Sequence, residues 1–126
     1  MPGVQTSVGY AGGSLANPTY QAVCAGGTGH AEVVEVRYDP ALCSLERLFH
    51  TFWRLHDPTA ARSPQYRSAI LCCTREQLRA ACSAADRYAY GMRLRKPLVT
   101  QIALAGPYWR AEAYHQRYMA KRRAKA

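Results

Sequence analysis

Acidic side chains are scarce in this chain: 8 aspartates and glutamates stand against 17 lysines and arginines, for a net charge of +9. No apolar stretch approaches the roughly 20 residues that a membrane-spanning helix needs. The first residues, Met1-Pro2-Gly3-Val4-Gln5, carry neither the basic nor the apolar region of a secretory leader. Five cysteines, Cys24, Cys43, Cys72, Cys73 and Cys82, are odd in number and sit inside periodic segments, without a disulfide-framework pattern. These absences predict a protein of the reducing cytoplasm that makes no membrane contact. The basic excess gathers in residues 87–96 and 121–125 and is not interleaved with aromatics as in a nucleic-acid-binding motif. It reads as a solvated face and a basic tail from about residue 121.

What is present fits a single domain over residues 1–126, with hydrophobic residues at 48%. The densest stretch runs from Gly9 to Pro40. There, glycines and turn residues lead to one carboxylate, Glu32, at the start of a β-branched strand, 31–38. A short helix before it is predicted from an Asn17 cap and Pro18 to about Cys24, ending at Gly26-Gly27. Val4 to Tyr10 reads as extended. Ser44 caps a helix whose Leu45, Leu48, Phe49 and Phe52 share one face. Tyr66 to Cys73 reads as a strand, and Thr74 with Gln77 forms a capping box for a helix over 75–90. Leu98 to Leu104 alternates as a half-buried strand, and a last helix is expected over 111–122. The order is mixed α+β, a sheet flanked by helices.

Individual candidates carry two readings. Glu32 is a proton donor or a satisfied polar residue at a strand edge. Tyr20 and Tyr66 are oxygen binders or packing tyrosines. The His30 ring is expected to bond the glycine loop rather than act as a base. His56-Asp57 reads as a helix C-terminal arrangement and not as part of a triad, since no serine stands in the required context. Cys24 is a replacement nucleophile or, as expected here, a small buried group; Cys82 is expected in the core, and Cys72-Cys73 on a strand point to opposite faces, unsuited to one metal ion.

Several motifs together carry a resemblance. They are Gly9-Tyr10-Ala11-Gly12-Gly13, Asn17-Pro18-Thr19-Tyr20, Thr28-Gly29-His30-Ala31-Glu32, His56-Asp57-Pro58-Thr59 and Gln65-Tyr66-Arg67-Ser68-Ala69-Ile70, with Ala111-Glu112-Ala113-Tyr114-His115-Gln116 beyond. The chain resembles, over almost its whole length, the peptide methionine sulfoxide reductases of the A class. The resemblance implies a ferredoxin-like derivative of that family's α+β fold, shortened at its N-terminus. It implies reduction of the S epimer of methionine sulfoxide, free or in proteins. A cysteine thiolate attacks the sulfoxide sulfur and becomes a sulfenic acid, which thioredoxin or another thiol reduces without a further cofactor. Glu32 matches the family's proton donor, and Tyr20 and Tyr66 match the tyrosines that bond the sulfoxide oxygen. A carboxylic acid flanked by phenols in a pocket suits a general acid. A monomer is expected.

Three departures accompany the match. The family's nucleophile lies in a Gly-Cys-Phe-Trp segment upstream of the Gly-Tyr-Ala-Gly-Gly run, and these 126 residues contain no such segment. Between Thr59 and Gln65 stands Ala60-Ala61-Arg62-Ser63-Pro64, without the family's Gly-Asn-Asp sequence, and C-terminal resolving cysteines are lacking. The expectation for the chain alone is therefore weak or no turnover. The alternatives are an inactive remnant that at most binds methionine sulfoxide peptides, or a basic nucleic-acid-binding protein.

Overall fold

The computed structural model describes residues 2–112. In chain order the elements are β1 (Val4–Ala11), α1 (Tyr20–Ala25), β2 (Ala31–Tyr38), α2 (Leu45–Arg54), a 3₁₀ turn (Pro64–Tyr66), β3 (Ala69–Cys72), α3 (Arg75–Gly91), β4 (Gln101–Leu104) and β5 (Trp109–Arg110). The class is α+β, as expected. The described residues gather into two compact units. No described helix is long and apolar enough to cross a membrane. The anticipated last helix begins with Ala111 and Glu112, which are not helical, and the rest of it lies outside the described residues, as does the basic tail.

One unit comprises Tyr38–Ser63 and Arg67–Ala105, with the described residues up to Val4, the first of β1. Its core forms where α2 lays Phe49 and Trp53 against Ala81, Ala84 and Ala85 of α3 and Cys72 of β3. Alanines at i, i+3 and i+4 let the two helices approach closely, and the Trp53 ring stacks on Tyr88 at 4.9 Å. β3 and β4 pair in parallel, Ala69 with Gln101 through Cys72 with Leu104. Parallel neighbours require a crossover, which α3 supplies. The Leu98–Leu104 strand is shorter than its alternation predicts: residues 98–100 stay irregular, though Val99 N–H donates to Pro58 O at 2.8 Å.

The ends of these helices follow local chemistry. Ser44 Oγ accepts from Arg47 N at 3.2 Å and opens α2. Thr74 Oγ1 accepts from Gln77 N at 3.1 Å, while Gln77 Oε1 accepts from Thr74 N at 3.3 Å and from Cys73 N at 2.9 Å. The capping box thus satisfies backbone donors in both directions, and Gln77 Nε2 also donates to Tyr38 Oη at 3.1 Å.

The second unit comprises Gln5–Arg37, Pro64–Tyr66 and the described residues from Gly106 onward. Its sheet has the order β2-β1-β5. β5 pairs antiparallel with β1, Gly9 opposite Arg110 and Tyr10 opposite Trp109. This strand was not legible in the sequence, because two residues between Pro107 and Ala111 show no period. Val8, Tyr10, Val23 and Ala111 form the unit's small core, with Tyr20 packed against it.

Four local expectations are corrected. α1 is capped by Thr19, whose hydroxyl accepts from Ala22 N at 3.1 Å, and not by Asn17. Asn17 instead takes a left-handed φ of 49°, which asparagine tolerates well among non-glycine residues. Tyr66 ends the 3₁₀ turn opened by Pro64 rather than starting β3, whose register with β4 begins only at Ala69. Cys82 is exposed, because the buried face of α3 runs through its neighbours Ala81 and Ala84. Cys24 is exposed as well, because α1 buries only Val23.

The capping box yields a stability prediction. Thr74→Ala is expected to lower unfolding stability by about 1 kcal/mol in urea denaturation followed by circular dichroism, and Thr74→Ser by a few tenths. Equal losses for both substitutions would mean that the hydroxyl contributes nothing.

Candidate active site

The candidate residues Tyr20, Glu32 and Tyr66 all belong to the second unit. Their placement starts at Gly13. A Cβ there would be driven into the backbone of His30 and Thr28, so two glycine-rich segments cross main chain against main chain. Ser14 N donates to Thr28 O at 2.9 Å across this crossing. His30, 2% exposed, locks it. Its Nδ1 accepts from Gly13 N at 3.1 Å, and its Nε2 lies 2.7 Å from Leu15 O. A carbonyl only accepts, so Nε2 carries the proton and the ring is neutral. With both nitrogens engaged by the loop, His30 is structural, as its position in the sequence suggests.

β2 begins at the next residue, Ala31, which is almost wholly buried. Glu32 follows, half-buried, with Oε2 shielded from solvent.

Tyr20 is the first residue of α1, and Cys24 lies one turn on, so both point along one side of the helix. Tyr66 arrives from the 3₁₀ turn. The Tyr20 hydroxyl is hydrogen-bonded to the side chains of Cys24 and Tyr66, and those bonds, Cys24's first, hold the phenol's pKa well above its ordinary value of 10.0. Gln65 Nε2 donates to Cys24 Sγ at 3.3 Å, closing a cluster of two phenols, a thiol and an amide. The structure therefore brings Tyr20 and Tyr66 together, and Glu32 lies on β2 of the same unit. Cys24 and Gln65 are the members that sequence reasoning missed. Only the i, i+4 spacing of Tyr20 and Cys24 signals one of them beforehand.

The other candidates belong to the first unit. In the first unit, His56 Nδ1 is 3.1 Å from Phe52 O, and its Nε2 is 2.6 Å from Ser68 Oγ, which in turn is 2.8 Å from Thr100 Oγ1. Asp57 turns away to Thr59, accepting from its N–H at 2.9 Å and its hydroxyl at 2.6 Å, and those bonds hold its carboxyl below the usual range. A triad is thus absent: the buried Ser68 is a connector between loop and strand. Cys72, the last residue of β3, is buried, and Cys73, expected on the same strand, lies just past its end and is exposed. Among the described residues no group of His, Cys, Asp or Glu could hold a metal ion.

Known proteins resemble this chain along nearly its whole length. The family model for peptide methionine sulfoxide reductase matches residues 1–126. The chain belongs to the peptide methionine sulfoxide reductase family. A relative from Methanoculleus marisnigri, named peptide methionine sulfoxide reductase MsrA, is 48% identical over 129 residues, covering 97% of this chain and 79% of the relative. One of the same name from Salmonella typhimurium is 47% identical and covers 96% of this chain. The reductase-family chain spans 62% of that relative's length. Methionine sulfoxide reductase A of Corynebacterium diphtheriae superposes with a TM-score of 0.86 at 37% identity, over 96% of this chain and 65% of the other. Mxr1 from Saccharomyces cerevisiae in reduced form gives 0.84 at 31% identity, over 92% and 70%. The same yeast protein in complex with Trx2 gives 0.62 at 25% identity, over 90% and 64%.

The phenol cluster makes a pH prediction. Tyr20 should ionise later than a free tyrosine, and both Cys24→Ala and Tyr66→Phe should bring its ionisation down, read by ultraviolet tyrosinate absorbance. The folded state then keeps a proton that the unfolded chain has lost. The resulting stabilisation is complete below pH 10.0 and is lost as pH rises beyond it. An unchanged tyrosinate titration in both variants would refute the hydrogen-bonded cluster.

Proposed function

We propose that this chain carries the oxygen-handling side of a peptide-methionine (S)-S-oxide reductase site. The observation that carries the reading is the pairing of Tyr20 and Tyr66 through their hydroxyls. Two phenols that meet at one point can each donate to a single sulfoxide oxygen, with Glu32 as the acid on the adjoining strand. Family membership supports the chemistry.

An oxide is a poor leaving group until it gains a proton. In the proposed reaction a thiolate attacks the sulfoxide sulfur, and Glu32 supplies the proton to the oxygen. The oxygen ends on the thiol sulfur as a sulfenic acid, and methionine departs with its sulfur reduced by two electrons. A second thiol then condenses with the sulfenic acid, releasing water, and thioredoxin or another thiol reduces the disulfide. No further cofactor takes part. The yeast relative's complex with Trx2 supports thioredoxin as the partner. The attacking thiolate is assigned to the family's Gly-Cys-Phe-Trp segment. Cys24, though exposed beside the phenols, occupies a position that is not the nucleophile in the family.

Binding tests the reading directly. The S epimer of N-acetylmethionine sulfoxide is expected to shift the Tyr20 and Tyr66 ring resonances in a nuclear magnetic resonance titration, and the R epimer is not. Tyr20→Phe or Tyr66→Phe should each weaken binding about tenfold, the scale of one lost hydrogen bond to a polarised oxygen. If both epimers leave both rings unperturbed, the oxygen site is not here.

Mass spectrometry after exposure to the same sulfoxide separates the thiols. Cys24 is expected to carry no sulfenic acid, and its appearance there would make Cys24 the attacking group.

A further inference from the structure

We propose that Glu112 is a positioning residue for Tyr20, the phenol assigned above to the sulfoxide oxygen. The inference rests on that assignment and concerns what holds the phenol in place.

α1 is only six residues long and has no acidic residue in its own first turn. So short a helix has little stability by itself, and its position depends on what it is tied to. Thr19 satisfies the N–H of Ala22, but the first N–H of the helix belongs to Tyr20. Glu112, 92 positions away, supplies that acceptor: its Oε1 takes the Tyr20 N–H at 3.2 Å. Its Oε2 takes the hydroxyl of Tyr10 at 3.5 Å.

Both anchors of this carboxylate are themselves fixed. Tyr10 is 0% exposed, the largest fully buried side chain of the molecule's described residues. Ala111, the neighbour of Glu112, is buried, and its N–H donates to Val8 O at 2.9 Å beyond the β1–β5 pair. One carboxylate therefore links β1, the exit of β5 and the first residue of α1, at the residue whose side chain meets Tyr66. The negative charge also lies where the helix dipole favours it. Removing it leaves the Tyr20 side chain intact but frees the backbone that aims it.

The test uses the 126-residue chain with Glu112→Ala, Glu112→Gln and Tyr10→Phe. Three quantities are read: affinity for the S epimer of N-acetylmethionine sulfoxide, the tyrosinate titration of Tyr20, and the melting midpoint. Glu112→Ala is expected to weaken sulfoxide binding roughly tenfold and to bring Tyr20 ionisation toward that of free tyrosine, because the freed backbone no longer holds the hydroxyl beside Cys24 and Tyr66. Glu112→Gln keeps an acceptor for the Tyr20 N–H and gains a donor for Tyr10. It should stay within about threefold of the parent. Tyr10→Phe removes only the longer bond and should have the smaller effect.

The proposal is overturned if Glu112→Ala leaves both binding and Tyr20 ionisation unchanged. It is also overturned if Glu112→Gln and Glu112→Ala lose binding equally and in step with their melting midpoints, which is what a merely structural role gives. If the parent chain binds no sulfoxide, the assignment of the oxygen site fails separately. The Tyr20 titration in Glu112→Ala then still decides whether Glu112 positions the phenol.

Discussion

The candidate site depends on the crossing of two main chains at Gly13 and His30. Backbone cannot pass this close to backbone if either residue brings a Cβ into the gap, so glycine at Gly13 is a steric requirement rather than a preference. Close approach also strands polar groups away from water, and each must find a partner. His30 resolves this with one ring that accepts from Gly13 and donates to Leu15. The ring must be neutral to do both. Protonation would turn Nδ1 into a second donor facing the Gly13 N–H. The histidine nearest the candidate acid is thereby committed to architecture.

From that crossing the rest of the site follows by short steps. Ala31, packed directly after His30, fixes the first residue of β2, and alternation along the strand then determines which side Glu32 presents. The adjoining strand β1 carries Tyr10 into the core, and Tyr10 meets Glu112 at the start of α1. Tyr20 is thus held through its backbone by the sheet side of the unit, and through its hydroxyl by Cys24 and Tyr66. Constraint at both ends of one side chain is what a group needs if it is to meet an oxygen at a set distance.

The sequence made visible the parts that are decided locally. β2, α2 and α3 appear within a residue or so of their expected limits, because β-branched runs, serine and threonine caps and a capping box act over a few positions. It also showed the role of His30. What it concealed depends on partners far along the chain. β5 exists only because Gly9 and Tyr10 offer it a ladder. The Asn17 cap was a sound local reading, overridden when Thr19 took the cap and Asn17 adopted a left-handed turn. The exposure of Cys24 could not be read either, since a cysteine one residue from a buried valine is buried or exposed according to how the helix is rotated. The candidate acid and phenols came from motif resemblance; their shared unit and the Tyr20–Tyr66 contact came from the structure.

The cluster around Tyr20 also bears on why an exposed thiol can sit beside an oxidant-handling site. Cys24 receives donors from Gln65 and Tyr20, both neutral groups. The same bonds occupy the sulfur and tether it to the phenols. A thiol used in this way serves as an acceptor that helps keep Tyr20 protonated. A protonated Tyr20 is in turn the form that can donate to an oxygen acceptor.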